Sequence, residues 1–123
     1  MIGITGCTGF IGGRLGTALS NAGLPWVGLA RRPAPFAVRP LAGFGDLAAL
    51  TAACAGLETL FHCAGYAHAL SSLNADDSEK HREFNFVATR NMVEAAALAG
   101  VKRFVFLSSV KAMAEPGSSC ADE

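Results

Sequence analysis

Residues 2–12 read Ile-Gly-Ile-Thr-Gly-Cys-Thr-Gly-Phe-Ile-Gly. The stretch begins with a short apolar segment at 2–5, which is typical of a buried parallel strand. Glycine then occupies positions 6, 9 and 12, and a helical pattern of apolar residues follows. A glycine-rich turn that leads from a strand into a helix is typical of a site that binds a nucleotide diphosphate. The stretch therefore predicts an α/β fold of the Rossmann type.

The three glycines have different predicted roles. Gly6 permits the tight turn, Gly9 lets the backbone approach a pyrophosphate, and Gly12 lets the helix pack closely on the sheet. Free N–H groups at the start of the helix would face the anion along a favourable helix dipole, and the Thr8 hydroxyl could add a donor. The alternative is a plain glycine turn that binds no ligand.

Outward from this stretch, strand patterns alternate with helical ones. Strands are predicted at 2–5, 26–30, 57–63 and 103–107, and helices at 10–22, 46–55 and 77–99. The three prolines within 33–40 argue against regular structure there. The alternation predicts a three-layer fold, a parallel sheet of about four strands with helices on both faces. Residues 1–114 would form this Rossmann-type domain, followed by a polar tail at 115–123.

In the first predicted helix, one face carries apolar residues, which we expect to cover the sheet. They are Ile11, Leu15, Ala18, Leu19 and Ala22.

Composition excludes several classes of function. Ten basic and ten acidic residues leave no net charge, so there is no electrostatic case for a nucleic-acid or membrane partner. No apolar run approaches the ~20 residues of a membrane-spanning helix, and no signal-peptide pattern is present, so we expect a cytoplasmic protein.

The three histidines, His62, His68 and His81, lack the spacing of metal ligands, and no metal site is expected. The four cysteines lack paired spacing and are expected to be reduced.

The segment Thr5-Gly6-Cys7-Thr8-Gly9-Phe10-Ile11-Gly12 resembles the signature of the extended short-chain dehydrogenase/reductase family. That family includes nucleotide-sugar epimerases, dehydratases and 4-ketoreductases. The resemblance continues through Asp46-Leu47, His62-Cys63-Ala64-Gly65, the helix segment 85–91 and the strand segment 105–110. It implies one catalytic residue, Ser109, and a set of cofactor-binding residues. That set is Gly6, Thr8, Gly9, Phe10, Ile11, Gly12, Asp46, Leu47, Cys63, Ala64, Gly65 and Asn85.

Several of these residues also have simpler interpretations. By resemblance, Asp46 holds the adenine amino group of the cofactor, but it could equally cap the helix that begins with Leu47. Asn85 could bond the strand-end backbone, the cofactor or both. Ser109 could polarise a substrate hydroxyl or keto group, or it could cap loose backbone groups at the end of a strand. His62 is expected to bond the backbone rather than to take part in chemistry.

The end of the second strand bears on the choice between NAD and NADP. An enzyme that prefers NAD usually places a carboxylate there to bind the ribose 2′-hydroxyl. This sequence has Ala30 followed by Arg31 and Arg32, and two guanidinium groups could bind a 2′-phosphate. We therefore predict NADP rather than NAD. The alternative is that these arginines only solubilise the end of a strand.

The resemblance also defines what this sequence does not contain. In the family, a Tyr-x-x-x-Lys pair moves the proton at the sugar hydroxyl. The one tyrosine is Tyr66, and Leu70 stands four positions later. We therefore expect the N-terminal part of a longer enzyme, which would bind its nucleotide-sugar substrate only when intact and would be inactive as these residues alone.

Two other functions fit the same sequence. A non-catalytic, NADP-sensing Rossmann module would keep the glycine turn and dispense with tyrosine and lysine. A reductase of small hydrophobic ketones would share the same cofactor half. If the sequence is the N-terminal part of a longer enzyme, the fifth strand that would ordinarily cover the last predicted strand is missing. The edge left open is apolar, with Phe104, Val105, Phe106 and Leu107. Such an edge predicts self-association.

Overall fold

The computed structural model describes residues 1–64 and 75–107. At 75–85 it describes the backbone but not the side chains. It contains five strands and three helices within these ranges. The strands are β1 Ile2–Thr5, β2 Trp26–Ala30, β3 Val38–Pro40, β4 Thr59–His62 and β5 Arg103–Phe106. The helices are α1 Phe10–Asn21, α2 Leu47–Ala53 and α3 Ala75–Ala99. The predicted tail at 115–123 lies outside the described residues.

The five strands form one sheet in the order β3-β2-β1-β4-β5, and all of them are parallel. Thr5, the last residue of β1, lies opposite Leu29 of β2 and His62 of β4. The chain crosses from the edge strand β3 to the centre, where β4 pairs with β1. The gap between the ends of β1 and β4 is thus the point where strand order reverses, which is where such sheets bind ligands.

The prediction of irregular structure throughout 33–40 was wrong for its last three residues. Val38–Pro40 forms β3, which pairs with β2 and raises the strand count to five. The backbone N–H of Leu41 donates to the Ala30 oxygen at 2.9 Å. Because alternate residues of a parallel strand donate to the same neighbour, the nitrogen of Pro40 faces away from β2, where a missing N–H does no harm.

Helices cover both faces of the sheet, as predicted. Helices α2 and α3 pack against each other over one face, and α1 lies over the other. The main apolar core is buried beneath α2 and α3. Its members are Val27, Leu29, Leu41, Leu50, Ala53, Cys54, Leu57, Leu60, Met92, Ala95 and Ala96. Among the described residues, no helix is long and apolar enough to span a membrane.

Glycine, rather than the predicted apolar face, brings α1 onto the sheet. Gly12 and Gly16 are the buried residues of this helix, whereas Ile11 is 55% exposed. A Cβ atom on Gly16 would lie 2.6 Å from the Trp26 ring, so only glycine allows this approach. The Trp26 indole N–H donates to the Ser20 hydroxyl at 2.9 Å, which joins β2 to the last turns of α1.

Arg39 ties the edge strand to the helix above it. One guanidinium nitrogen donates to the Ala53 carbonyl at 2.8 Å and to the Ala55 carbonyl at 2.6 Å. Because the last carbonyls of a helix have no partner within the helix, this side chain satisfies the end of α2. The contact places β3 and α2 in a fixed relation, and with them the loop at 41–46 that joins the two.

Candidate functional site

The glycine turn lies where the sequence predicts it, between β1 and α1 at the centre of the sheet. Gly6 has a positive φ of 66°, a conformation that side chains disfavour. The N–H of Gly9 donates to the Gly6 oxygen at 3.0 Å, and the N–H of Gly13 donates to the Gly9 oxygen at 2.8 Å. The chain therefore turns tightly at Gly6 and enters α1 within four residues.

Two of the three glycines are required by the fold itself. A Cβ atom on Gly6 would lie 2.6 Å from the Ala64 nitrogen and 2.7 Å from the Cys63 carbonyl carbon. A Cβ atom on Gly12 would overlap the Gly6 carbonyl oxygen. Gly12 thus allows the helix to approach the turn at Gly6. The predicted role was close packing of the helix on the sheet.

Gly9 is different, because nothing within residues 1–64 and 75–107 requires a glycine there. Its φ of −84° suits any residue. Within 4 Å, a Cβ atom there would meet only the Gly6 oxygen, at 3.3 Å. The space beside Gly9 is open to solvent, so a ligand could come directly against the backbone at this position.

The start of α1 lacks the side chains that usually satisfy a helix N-terminus. Its N-cap, Gly9, makes no side-chain cap hydrogen bond, and the first turn holds no acidic residue. Phe10 and Ile11 are 66% and 55% exposed, and Thr8 is exposed beside them. One turn further along, the Arg14 guanidinium lies 4.6 Å from the centre of the Phe10 ring. Unsatisfied N–H groups and positive charge at one helix end suit an anion.

Thr5 joins β1 to the backbone that leaves β4, a role that the sequence analysis missed. Its hydroxyl oxygen accepts from the Cys63 N–H at 3.1 Å and from the Ala64 N–H at 3.3 Å. It also lies 2.7 Å from His62 Nδ1. With both lone pairs engaged, the hydroxyl donates its own hydrogen to Nδ1. Neutral His62 therefore carries its proton on Nε2.

His62 is a buried histidine held by a side chain, so the expectation of a backbone bond was wrong. It lies directly opposite Thr5 in the sheet, which places the hydroxyl within reach of the ring. Phe44, Phe104 and Phe106 surround the ring at centroid distances of 5.7, 6.0 and 6.0 Å. Among the described residues, Nε2 has no hydrogen-bond partner. Burial lowers the pKa of His62 to about 4, so the ring is neutral at pH 7.

The two arginines after β2 line a pocket of about 440 Å³ at the edge of the sheet. Arg31 and Arg32 are both exposed. The remaining lining residues are mainly apolar: Pro33, Ala34, Phe36, Val38 and Pro40. The arrangement offers an apolar surface with two cationic groups at the end of β2, next to the end of β1.

Asp46 caps helix α2, so the capping interpretation is confirmed. Its Oδ1 accepts from the Ala49 N–H at 3.2 Å, and the side chain is exposed. Leu47 opens the helix and packs against the core. Contact of Asp46 with adenine stays a prediction that the cap does not oppose, because a carboxylate has a second oxygen and further acceptor sites.

Asn91 holds the loop that leads to this cap, a role that the family pattern at 85–91 does not indicate. Its Nδ2 donates to the Phe44 carbonyl at 2.7 Å. The partners are 47 positions apart, which is why spacing in the sequence does not reveal the bond.

The remaining predicted site residues lie outside the described part of the chain. These are Gly65, Ser109 and the side chain of Asn85. The same holds for Tyr66, Ser108 and the side chains of His68 and His81. Cys63 and Ala64, which end the described part of this segment, are half-buried beside Gly6.

Comparison with known proteins agrees with this geometry. The model of the NAD dependent epimerase/dehydratase family matches residues 2–123. The chain belongs to that family. This membership confirms the family resemblance that the motif at 5–12 indicated. The parallel sheet around the motif is consistent with it.

Among relatives of this epimerase/dehydratase chain, a 3-beta-hydroxysteroid dehydrogenase from Mycolicibacterium neoaurum is 32% identical over 113 residues, covering 86% of this chain and 31% of the relative. The solved structure of MoeE5 in complex with UDP-glucuronic acid and NAD is 31% identical, with a TM-score of 0.71 over 91% of this chain and 38% of that one. The NADPH complex of the quinone oxidoreductase QOR2 from Escherichia coli is 29% identical, with a TM-score of 0.64 over 86% and 36%. This chain spans about a third of the length of the curated relative.

The buried His62 makes the stability of the fold depend on pH. Its pKa falls from 6.5 in a free chain to about 4 in the folded chain, so between these values the unfolded chain binds the proton more tightly. Stability from this residue is therefore complete above pH 6.5 and is lost as the pH falls through 4. The shift corresponds to about 3 kcal/mol of unfolding free energy.

The test is urea unfolding of the wild type and of His62→Asn at several pH values. Asparagine still offers an acceptor to Thr5 but does not titrate. We expect the wild type to lose stability relative to His62→Asn between pH 6.5 and 4. Parallel pH profiles for the two proteins would show that His62 is not responsible.

Proposed function

We propose that this chain binds the diphosphate of a nicotinamide dinucleotide at the glycine turn. The observation that carries the proposal is Gly9, a glycine that the fold does not need, at the start of a helix with no side-chain cap. An approaching diphosphate would fill the open space and accept from the free N–H groups of the first turn. The dinucleotide complexes of MoeE5 and QOR2 support this assignment.

The larger function is proposed to be that of a nucleotide-sugar epimerase, dehydratase or 4-ketoreductase, of which this chain forms the cofactor-binding portion. MoeE5, solved with a UDP-sugar acid and NAD, supports the sugar-nucleotide class. The hydroxysteroid dehydrogenase relative favours a second candidate, the oxidation or reduction of a hydrophobic alcohol or ketone. Both candidates use the same dinucleotide site.

In this proposal the residues of the chain bind the cofactor but do not turn over a sugar. Gly65 and Asn85 would contact the cofactor, and Ser109 would polarise the substrate oxygen in the intact enzyme. The catalytic Tyr-x-x-x-Lys of the family does not occur in the sequence.

The free thiols Cys7, Cys54 and Cys63 suit a reducing compartment, and burial raises the pKa of each. We propose that this compartment is the cytoplasm.

A methyl group at position 9 tests the site directly. Gly9→Ala fits the fold with a shift of a few tenths of an ångström at Gly6, but it occupies the space assigned to the diphosphate. Gly13→Ala is the matched control, since its Cβ atom would make ordinary contact with the Cys7 oxygen at 3.5 Å.

By calorimetry we expect Gly9→Ala to weaken dinucleotide binding at least about tenfold, or about 1.4 kcal/mol, while Gly13→Ala binds as the wild type does. Equal binding by all three proteins would remove the diphosphate from this turn. Failure of the wild type to bind either NAD or NADP would overturn the proposed function.

The cofactor is proposed to be NADP rather than NAD. Arg31 and Arg32 stand exposed at the end of β2, where a carboxylate would bind the 2′-hydroxyl of NAD. Two guanidinium groups there would bind a 2′-phosphate through charge-assisted hydrogen bonds. The NADPH complex of QOR2 shows that this choice occurs on a similar scaffold.

Replacing both arginines with alanine should weaken NADP binding by about tenfold to a hundredfold, because exposed charge-assisted bonds contribute about 1.5–3 kcal/mol in total. NAD binding should change by less than about twofold. Dissociation constants measured by calorimetry for both cofactors decide the matter. Arg103→Ala, at the opposite end of the strands, is the control. Tighter binding of NAD than of NADP by the wild type would contradict the preference.

Self-association is a further part of the proposal. Within residues 1–64 and 75–107, β5 pairs with β4 alone, and Phe106 on this strand is 51% exposed. An exposed apolar edge offers its free N–H and C=O groups to another chain. The proposed contact is therefore between copies of this edge.

Sedimentation should show a mass that rises with concentration for the wild type. Phe106→Lys should shift the protein to monomer, because a charged side chain on the edge opposes strand pairing. Val93→Lys on helix α3, where Val93 is 45% exposed, should associate as the wild type does. Dissociation by Val93→Lys instead would place the contact on the helix, and a wild-type monomer at all concentrations would exclude association.

A further inference from the structure

The loop at 41–46 is fixed at both ends and glycine-rich in its middle. At one end the Leu41 N–H donates to the Ala30 oxygen at 2.9 Å, and the Leu41 side chain is buried. At the other end Asp46 caps α2. Between them, Gly43 and Gly45 flank Phe44, and a Cβ atom on either glycine would meet nothing within 4 Å. Glycines without neighbours leave a backbone with many accessible conformations.

Asn91 contacts this loop at its centre. Asn91 is half-buried on α3, and its amide nitrogen donates to the Phe44 carbonyl at 2.7 Å. The residue beside it, Met92, is fully buried in the core, so the position of α3 is set by packing. The hydrogen bond therefore connects a glycine-flanked segment of the loop to a helix whose position is set by packing.

The ring of Phe44 makes a second contact, with the other half of the site. It lies edge-on to His62 at 5.7 Å, and His62 is bonded to Thr5. Thr5 in turn binds the amides of Cys63 and Ala64, which lie against Gly6. One set of contacts thus runs from the loop before Asp46 to the glycine turn.

We infer that Asn91 is a positioning residue, which fixes the loop at 41–46 so that Asp46 and Leu47 contact the adenosine end of the cofactor. The inference rests on the proposed function and deepens it. Asn91 does not touch the ligand in this scheme. Without its hydrogen bond, the loop has to be ordered when the nucleotide binds, and that ordering weakens binding of the adenosine end alone.

The main variants are Asn91→Asp and Asn91→Ser. Aspartate has the same shape but presents an acceptor to the Phe44 carbonyl, and serine is too short to reach it. Glu94→Gln, an exposed position one turn further along α3, is the matched control. The ligands are 5′-AMP for the adenosine end, nicotinamide mononucleotide for the other end, and NADP for the whole cofactor, with dissociation constants measured by NMR titration or calorimetry.

We expect both Asn91 variants to weaken binding of 5′-AMP and NADP by about fivefold to tenfold, while nicotinamide mononucleotide binds within about twofold of wild type. Glu94→Gln should bind all three as the wild type does. If the Asn91 variants unfold more easily but bind 5′-AMP and NADP unchanged, the residue is merely structural and the inference fails. Equal weakening for both halves of the cofactor also overturns it.

A rescue experiment covers the case in which Asn91→Asp does not fold. Gly45→Ala restricts the loop from within, since its Cβ atom would meet nothing and its φ is not positive. In the Asn91→Ser background, Gly45→Ala should recover at least half of the lost affinity for 5′-AMP, because it removes conformations that binding must otherwise exclude. No recovery would contradict an ordering role. Failure of the wild type to bind any dinucleotide would instead remove the proposed function, so the two failures are distinguishable.

Discussion

At the centre of the sheet, the backbone of the turn at Gly6 lies directly against the backbone that leaves β4. A Cβ atom on Gly6 would fall between 2.6 and 2.8 Å from three backbone atoms of Cys63 and Ala64. The Thr5 hydroxyl holds the same two residues by their amides. Because the turn, the strand end and the start of α1 are fixed against one another, the surface proposed to bind the diphosphate has its shape before a ligand arrives. Preorganisation of this kind avoids an ordering penalty on binding.

Local signals in the sequence were sufficient for the parts of the fold that are built locally. The strand at 2–5, the glycine turn and the cap at Asp46 depend on residues a few positions apart, and the structure places each as expected. β3 was missed because proline is a strong local sign of irregular structure, while its tolerance at a sheet edge depends on which neighbour the strand faces. The buried contact of α1 at Gly16 was missed for a related reason. Apolar periodicity marks a helix face but does not measure how close the helix comes to the sheet.

The polar contacts that support the candidate site could not be predicted in the same way. Thr5 and His62 are 57 positions apart, and Asn91 and Phe44 are 47 apart. The pairing of β1 with β4 brings the first pair together, and the packing of α3 against α2 brings the second pair together. His62 illustrates the consequence, since a histidine at the end of a strand most simply bonds the backbone. The register that sets Thr5 opposite it determines its partner and its tautomer, and burial keeps the ring neutral.

The two edges of the sheet differ in a way that affects assembly. At the β3 edge, the nitrogen of Pro40 points outward without a hydrogen, and Arg39 is engaged with the end of α2. The β5 edge carries exposed Phe106 and has no such obstruction within the described residues. Association as proposed, through β5 alone, would join two copies in a closed pair related by a twofold axis. Such a pair would leave only the two obstructed β3 edges for further contact, and these would oppose the addition of more copies.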